Sequence, residues 1–362
     1  MNSFENSSPR VAQLLGNTPL GAGSATYKSV LQGRRVLVTG GGGSIGQELC
    51  RRVAECQPTE LIILDIYENT AYEIAQELGR KYGASLPVRL LIASIRDKDR
   101  IDAIFDKYRP EIVLHAAAHK HVPLMEENPA EAIKNNVFGS KNVFDAAEKY
   151  GSDKCILIST DKAVNPTSVM GASKQMCERM LSARRESKTT FATVRFGNVA
   201  DSNGSVMPLF RRQIAEGGPV TVTDKRATRY FMSIAEACHL VLQATAIANG
   251  GEVFVLDMGE PVSIYALACA MIRDAGFEPE KDIKIAEIGL RVGEKLTEEL
   301  RTSTEKLMPT EHARIFVEHA PALSQFTVKE SLKALAISIA REETPDIVRE
   351  ALQIAVPTYK SK

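Results

Sequence analysis

The chain has 362 residues, 45 Lys+Arg against 45 Asp+Glu, and a hydrophobic fraction of 44%. That length gives room for one full-sized domain and a smaller second lobe, and the balanced charge excludes a general nucleic-acid binder, which needs a basic excess or stripe. No apolar stretch approaches the ~20 residues that cross a bilayer, the first residues lack the regions of a signal peptide, and six cysteines without a Cys-x-x-Cys pair point to reduced thiols in a cytoplasmic protein.

Residues 1–33 are polar and Gly/Ser-rich apart from an apolar patch at 11–15, and read as an arm with one short helical turn. From Arg35 onward, short apolar runs at 36–38, 61–64, 88–92, 112–114, 155–158 and 192–194 alternate with helix-length stretches at 45–56, 71–82, 98–108, 130–150 and 168–187. Short strands buried on both faces and separated by helices predict a parallel sheet wrapped on both sides, an α/β doubly wound fold. Past residue 200 the alternation weakens at Gly204, Pro208 and Gly217-Gly218-Pro219, which predicts a smaller, mixed α/β lobe. A helix at 234–248 and a strand at 253–256 are expected to return to the main sheet.

The first strand runs into Thr39-Gly40-Gly41-Gly42-Gly43-Ser44-Ile45-Gly46, with Gly40, Gly43 and Gly46 in G-x-x-G-x-x-G spacing. Missing side chains let the chain turn tightly and bring backbone N–H groups, with the following helix N-terminus, against a pyrophosphate. A glycine motif alone also suits a plain tight turn. Here Asp65 ends the second strand 19 residues past Gly46, where a carboxylate can bond adenosine ribose hydroxyls, and Ile66-Tyr67-Glu68 brings no arginine for a 2′-phosphate. NAD is therefore expected rather than NADP. After the third strand comes Ser94-Ile95-Arg96-Asp97, with Ile95 expected against the adenine and Ser94 or Asp97 at its edge. An ordinary turn and helix cap is the other reading. The expected division is an arm over 1–33, an NAD-binding Rossmann domain over 34–200, and a mainly substrate-binding lobe over 201–362 from which about 233–260 rejoins the sheet.

Ser159-Thr160-Asp161-Lys162 follows the fifth strand, which delivers Asp161 and Lys162 side by side at the mouth of a cleft. A lysine serves as base when burial or a nearby cation lowers its pKa, and an aspartate as acid when its own is raised. The bland alternative is a surface ion pair in a turn. Met170 and Lys174, at i and i+4, share one helical face, from which Lys174 can reach a nicotinamide ribose; by itself it would be a solvated helix lysine. His119 and His121 alternate like strand neighbours but lack a third ligand, so no metal is assigned.

The glycine loop and Met170-Gly171-Ala172-Ser173-Lys174 resemble the extended short-chain dehydrogenase/reductase superfamily, with methionine where its Tyr-x-x-x-Lys signature has tyrosine. A closer resemblance runs from Gly33 over nearly the whole chain. It is carried by His115-Ala116-Ala117-Ala118-His119-Lys120-His121-Val122-Pro123, Asn135-Asn136-Val137-Phe138-Gly139, Ser159-Thr160-Asp161-Lys162-Ala163-Val164-Asn165-Pro166, Arg195-Phe196-Gly197-Asn198-Val199, Thr228-Arg229-Tyr230-Phe231-Met232 and Gly289-Leu290-Arg291-Val292-Gly293-Glu294-Lys295. These segments are similar to the polysaccharide-biosynthesis family of UDP-N-acetylglucosamine 4,6-dehydratases. The methionine places the chain beside that family's long, membrane-anchored members, whose membrane helices are absent from this sequence. The protein is either naturally short or corresponds to their soluble portion.

The resemblance implies a tightly bound NAD held by Gly40, Gly43, Ser44, Ile45, Gly46, Asp65, Ser94, Ile95, Ala116, Ala117 and Lys174. It implies a lyase that converts UDP-N-acetylglucosamine to a 4-keto-6-deoxy product for surface glycans. In that scheme Lys162 takes the proton on carbon 5, Asp161 protonates the departing 6-hydroxyl and Thr160 bonds the 4-oxygen. Met170 stands where tyrosine would collect the 4-hydroxyl proton; Asp161 with Thr160 as relay is the expected substitute, with Thr160 or Lys174 acting through water as the others. Lys120 is expected near the reacting sugar, Arg229 and Arg291 at the diphosphate with Asn198 as a donor, Glu294 at the uridine ribose, and Asn136 as a brace. A homo-oligomer, dimer or higher, is implied as well. Two other functions stay open: a UDP-sugar 4-epimerase, which usually lacks the Asp-Lys pair, and a non-catalytic nucleotide-sugar-binding protein.

Overall fold

The computed structural model describes residues 9–16, 24–302, 306–318, 322–340 and 344–361. Two helices, α1 (Pro9–Leu15) and α2 (Ser24–Leu31), precede the first strand. Strands β1 (Arg35–Thr39), β2 (Glu60–Asp65), β3 (Val88–Ile92), β4 (Ile112–His115), β5 (Lys154–Ile158) and β6 (Thr190–Arg195) then alternate with α3 (Ser44–Glu55), α4 (Glu68–Tyr82), α5 (Lys98–Tyr108), the short α6 (Val122–Glu127) and α7 (Pro129–Ala132), α8 (Ser140–Lys149) and α9 (Val169–Ser182). The smaller lobe holds β7 (Asn198–Val199), α10 (Val206–Ala215), β8 (Val220–Val222), β9 (Thr228–Arg229), β10 (Phe231–Met232), β12 (Val262–Ser263), α12 (Ile264–Asp274) and β13 (Ile285–Glu287). Between and after these, α11 (Ile234–Ile247), β11 (Val253–Leu256), β14 (Leu307–Pro309), β15 (Ile315–Glu318), α13 (Gln325–Ala340) and α14 (Pro345–Ala355) come back to the larger body.

The main sheet has the order β14-β15-β11-β6-β5-β4-β1-β2-β3. From β11 to β3 all pairings are parallel, and β15 and β14 close one edge antiparallel. The strands are Val/Ile/Leu-rich because side chains alternate between faces and both faces are covered. Leu37, Ile62, Val113 and Leu157 join the core under α5, α8, α9, α13 and α14, while Val36, Val38, Ile63 and Ile156 join the core under α2, α3 and α11. Strand order reverses at β1, which has β2 on one side and β4 on the other, so the crevice beyond their C-terminal ends is where a ligand binds in such sheets.

The N-terminal segment is more structured than a polar arm with one turn. Tyr27 and Leu31 on α2 are buried against α11, with the Tyr27 ring edge-on to His239 at 5.5 Å, and Val11 and Leu15 on α1 enter the core of the smaller lobe. More of the C-terminal half also packs on the main sheet than the return of about 233–260 covers, since β14, β15, α13 and α14 all do so. The expected helix at 130–150 is α7 and α8 joined by a wider π-helical stretch, Ile133–Gly139. At its end a Cβ on Gly139 would meet Ile95 Cδ1 at 2.7 Å, so the absence of a side chain lets this helix approach the loop after β3.

Candidate active site

Beyond β1 the glycine loop folds back on itself. Gly40 has φ +67°, and a Cβ there would lie 2.6 Å from the Ala117 backbone nitrogen; one on Gly46 would lie 1.9 Å from the Gly40 carbonyl oxygen. Both contacts are with backbone, which cannot swing away, so only glycine fits. Gly43 begins α3 without a capping side chain, leaving the helix's first N–H groups open to an anion. Asp65 is fixed by two backbone donors, Gly42 N to Oδ2 at 2.9 Å and Tyr67 N to Oδ1 at 2.9 Å, and each carboxylate oxygen keeps a lone pair for a ribose hydroxyl.

Gly40, Gly43, Asp65, Ser94, Ile95, Ala116 and Ala117 line one cleft together, and no lysine or arginine is among its described lining residues. A pyrophosphate and an unsubstituted ribose fit this donor set; a 2′-phosphate finds no cation. The residues present therefore fit NAD. Three further residues expected near the cofactor make contacts within the protein. Ile45, in the first turn of α3, packs partly buried against the core, Asp97 caps α5 by accepting from Arg100 N at 3.0 Å, and Ser44 Oγ accepts from Asn203 N at 3.0 Å. The last bond is half of a clasp, because Lys120 Nζ donates to the Asn203 carbonyl at 2.6 Å and Gly204 lies against the His121 ring. Asn136 braces the same region, accepting from His119 N at 2.8 Å and donating to the His119 carbonyl at 3.0 Å.

Past β5, Thr160, Asp161 and Lys162 enter a short 3₁₀ turn that ends before α9. Asp161 N is anchored to the Phe196 carbonyl at 3.0 Å, and its side chain is wholly buried. Asp161 Oδ1 accepts from Thr160 Oγ1 at 2.8 Å and from Lys162 Nζ at 3.0 Å, whereas Oδ2 has no hydrogen-bond partner among the described residues. Lys162 Nζ also donates to Asn198 Oδ1 at 2.9 Å and lies 3.7 Å from Glu298 Oε1. Its side chain is 21% exposed, through a second cleft shared with Arg229, Arg291, Glu294, Lys295 and Glu298. The solvated surface pair is thereby ruled out by burial and by the number of partners.

The electrostatics depart from the expected lowering of the lysine. Burial pulls the Lys162 ammonium down, but the Asp161 and Glu298 carboxylates outweigh it and leave the amine above its ordinary value. Glu298 is held up in turn, mainly by burial, against the pull of Lys162 and Arg229. Nothing in the local pattern at Thr297-Glu298-Glu299 marks Glu298 as internal. It is carried in because Thr297 bridges to Thr228, which sets its neighbour beside Arg229.

On α9, Lys174 is 5% exposed and its amine meets no hydrogen-bond partner among the described residues; burial lowers its pKa. Met170, one turn earlier, is 4% exposed inside the hydrophobic core. Of the residues expected at a substrate, Arg229 is committed to protein: its guanidinium donates to Glu294 Oε1 at 2.8 Å and to the carbonyls of Thr228, Leu296 and Lys295. Glu294 also accepts from Thr223 Oγ1 at 3.1 Å, while Arg291 is exposed at the cleft mouth. Lys120 lines neither cleft and is engaged with Asn203.

A doubly wound parallel sheet with this glycine loop, an acidic end to β2, and the Met170/Lys174 pair on α9 defines an extended short-chain dehydrogenase/reductase. Within that class, the chain belongs to the polysaccharide biosynthesis protein family, whose profile matches residues 36–320. It is 52% identical over 297 residues to the capsular polysaccharide biosynthesis protein CapD of Staphylococcus aureus, covering 82% of this chain and 49% of that one. The chain thus spans about half the length of such curated relatives. A UDP-N-acetylglucosamine 4,6-dehydratase (inverting) of Campylobacter jejuni is 36% identical over 271 residues, 73% of this chain and 76% of that protein. A UDP-glucose 4-epimerase of Rickettsia canadensis is also 36% identical, over 75% and 78% of the two chains. Among solved structures, Pen from Bacillus thuringiensis superposes with a TM-score of 0.74 at 35% identity, covering 81% of this chain and 90% of that one.

Proposed function

We propose that this chain carries out the NAD-dependent 4,6-dehydration of UDP-N-acetylglucosamine, giving a UDP-4-keto-6-deoxy-N-acetylhexosamine. The observation that carries the reading is the buried unit at the end of β5, in which Thr160 bonds Asp161 and Asp161 bonds Lys162. NAD, when bound, supplies the temporary removal of hydride from the sugar and its return. Thr160 Oγ1, which already donates to Asp161, relays the 4-hydroxyl proton to that carboxylate and takes the place of the missing tyrosine. Asp161 then gives this proton to the departing 6-hydroxyl, which leaves as water. Lys162, as neutral amine, removes the proton from carbon 5 once the neighbouring ketone has acidified it, and, after hydride has returned to carbon 6, gives carbon 5 a proton from its ammonium, which exchanges with solvent. Asn198 orients Lys162, Lys174 has a free amine for a nicotinamide ribose, and Arg291 and Arg229 serve the diphosphate, Arg229 after giving up part of its present bonding.

The epimerase reading shares the fold and the first oxidation, and relatives of both kinds stand at the same identity. The Asp161–Lys162 pair supports elimination, because transfer of hydride back to carbon 4 needs no base at carbon 5. Incubation with UDP-N-acetylglucosamine in deuterated water, followed by mass spectrometry and NMR of the product, separates the readings. Dehydration gives a product lighter by one water with deuterium at carbon 5. A product of unchanged mass would overturn it in favour of epimerisation, and no product at all in favour of a binding protein.

A further inference from the structure

Glu298 stands inside the reacting cluster, although the sequence singled out only its neighbours. Its side chain is 4% exposed, with Oε1 at 3.7 Å from Lys162 Nζ and 3.9 Å from Arg229 Nε, and its Oε2 is buried without a hydrogen-bond partner among the described residues. A carboxylate so placed lacks the solvation that normally holds its charge, and it stabilises whichever nearby group is positive. The charged groups that face it are Asp161 and Lys162 from the turn after β5, Arg229 from β9, and Lys295 on its own segment. Arg229 is permanently charged and is already matched by Glu294 at 2.8 Å. Lys295 turns its amine to the Val164 carbonyl at 2.8 Å and to Glu299 at 3.2 Å, so the titratable cation within 4 Å of Glu298 is Lys162.

We propose that Glu298 is a positioning residue that sets the proton affinity of Lys162, and with it the pH range in which Lys162 acts as a base. Ionised Glu298 holds Lys162 as ammonium, the form that cannot accept a proton from carbon 5. Removing the Glu298 charge frees the amine at lower pH. The inference rests on the reading of Lys162 given above, but its electrostatic part is measurable without substrate.

Two measurements on the full chain test it. In the substrate-free protein, lysines are labelled by reductive 13C-methylation, and the Lys162 signal is assigned by its loss in Lys162→Arg and titrated by NMR. Glu298→Gln, which keeps the shape and removes the charge, is expected to bring that titration down by about 1–3 pH units, the usual effect of an opposite charge at this range. Glu298→Asp, whose carboxylate is withdrawn by one methylene, shifts it the same way by less and serves if the glutamine variant does not fold. In the dehydration assay, the acidic limb of the kcat–pH profile moves down with the Lys162 titration. An unchanged Lys162 titration in Glu298→Gln overturns the proposal, as does a kcat–pH limb that stays put while the titration moves. If wild-type protein forms no dehydrated product yet the titration moves, the proposed reaction falls and the Glu298–Lys162 coupling stands.

Discussion

Replacing Lys162 by methionine keeps the side chain's bulk and strands two carboxylates. The amine lies 3.0 Å from Asp161 and 3.7 Å from Glu298. At an effective dielectric constant of about 20, each contact is worth roughly 4–6 kcal/mol of attraction, much of it offset by the desolvation of the ions. Breaking a buried pair from one side costs about 3–5 kcal/mol, because the remaining charge is uncompensated. Glu298 limits this loss, since its carboxyl is already raised by burial and rises further without the ammonium. The cost is present while Glu298 is ionised and shrinks as falling pH protonates it. Urea unfolding at pH 8 and pH 5.5, on Lys162→Met, Glu298→Gln and the double variant, measures this. At pH 8 Lys162→Met is expected to lose about 3 kcal/mol, less at pH 5.5, and the double variant to be more stable than additivity predicts by about 1 kcal/mol or more. Wild-type stability of Lys162→Met at pH 8 would show a contact of the weak, solvated kind, and the account of the cluster would be wrong.

Gly46→Ala places a methyl 1.9 Å from the Gly40 carbonyl, so calorimetric titration should detect no NAD binding, with a lowered Tm. The control is Gly79→Ala in α4, where nothing lies within 4 Å; it should keep NAD and gain about 0.5–1 kcal/mol. His115 is fully buried between Thr39 Oγ1 at 2.6 Å and Ser140 Oγ at 2.8 Å, and burial lowers its pKa to about 3. Below about pH 6.5 the unfolded chain takes a proton that the folded one refuses until about pH 3, so this histidine's contribution to stability is present above 6.5 and lost through that window. His115→Gln should show a shallower fall of unfolding free energy with acid, by up to about 1.4 kcal/mol per pH unit; an equally steep fall in urea titrations would refute the assignment.

The sheet was readable because strands covered on both faces must be apolar throughout, as at 61–64 and 112–114, and short runs of this kind between helix-length stretches have little other use. Asp65 and the glycine loop were readable for a related reason: their roles are set by a short stretch of backbone. What depended on distant partners was not. β14 and β15 sit at an edge and pair antiparallel, so Met308 is 47% exposed, and the run Ile315-Phe316-Val317 lies outside the regular strand–helix alternation that marks the other strands. The short α2 helix offers Tyr27 and Leu31 as fully buried anchors, with Val30 partly buried beside them, and their burial is decided by α11. Asp161 and Lys162 were legible as a pair, but the direction in which the lysine is pushed depends on Glu298, 136 positions further on. Arg229 read as a phosphate ligand from its motif, while its carbonyl partners at Thr228, Leu296 and Lys295 are visible only once the lobe is folded.

The two bonds at Asn203 bear on how long a dinucleotide stays. The residue borders the cofactor cleft, its amide is fastened to Ser44 at the entrance of α3, and its carbonyl is fastened to Lys120 beyond β4. Asp201 and Gly204 on either side adopt left-handed backbone, at φ +58° and +68°, so the segment turns sharply and has little slack. Opening of the cleft on that side breaks both attachments. For the proposed dehydration, which returns its hydride at the end of each turnover, a cleft wall fastened at two points would favour keeping the same molecule of cofactor for the next sugar.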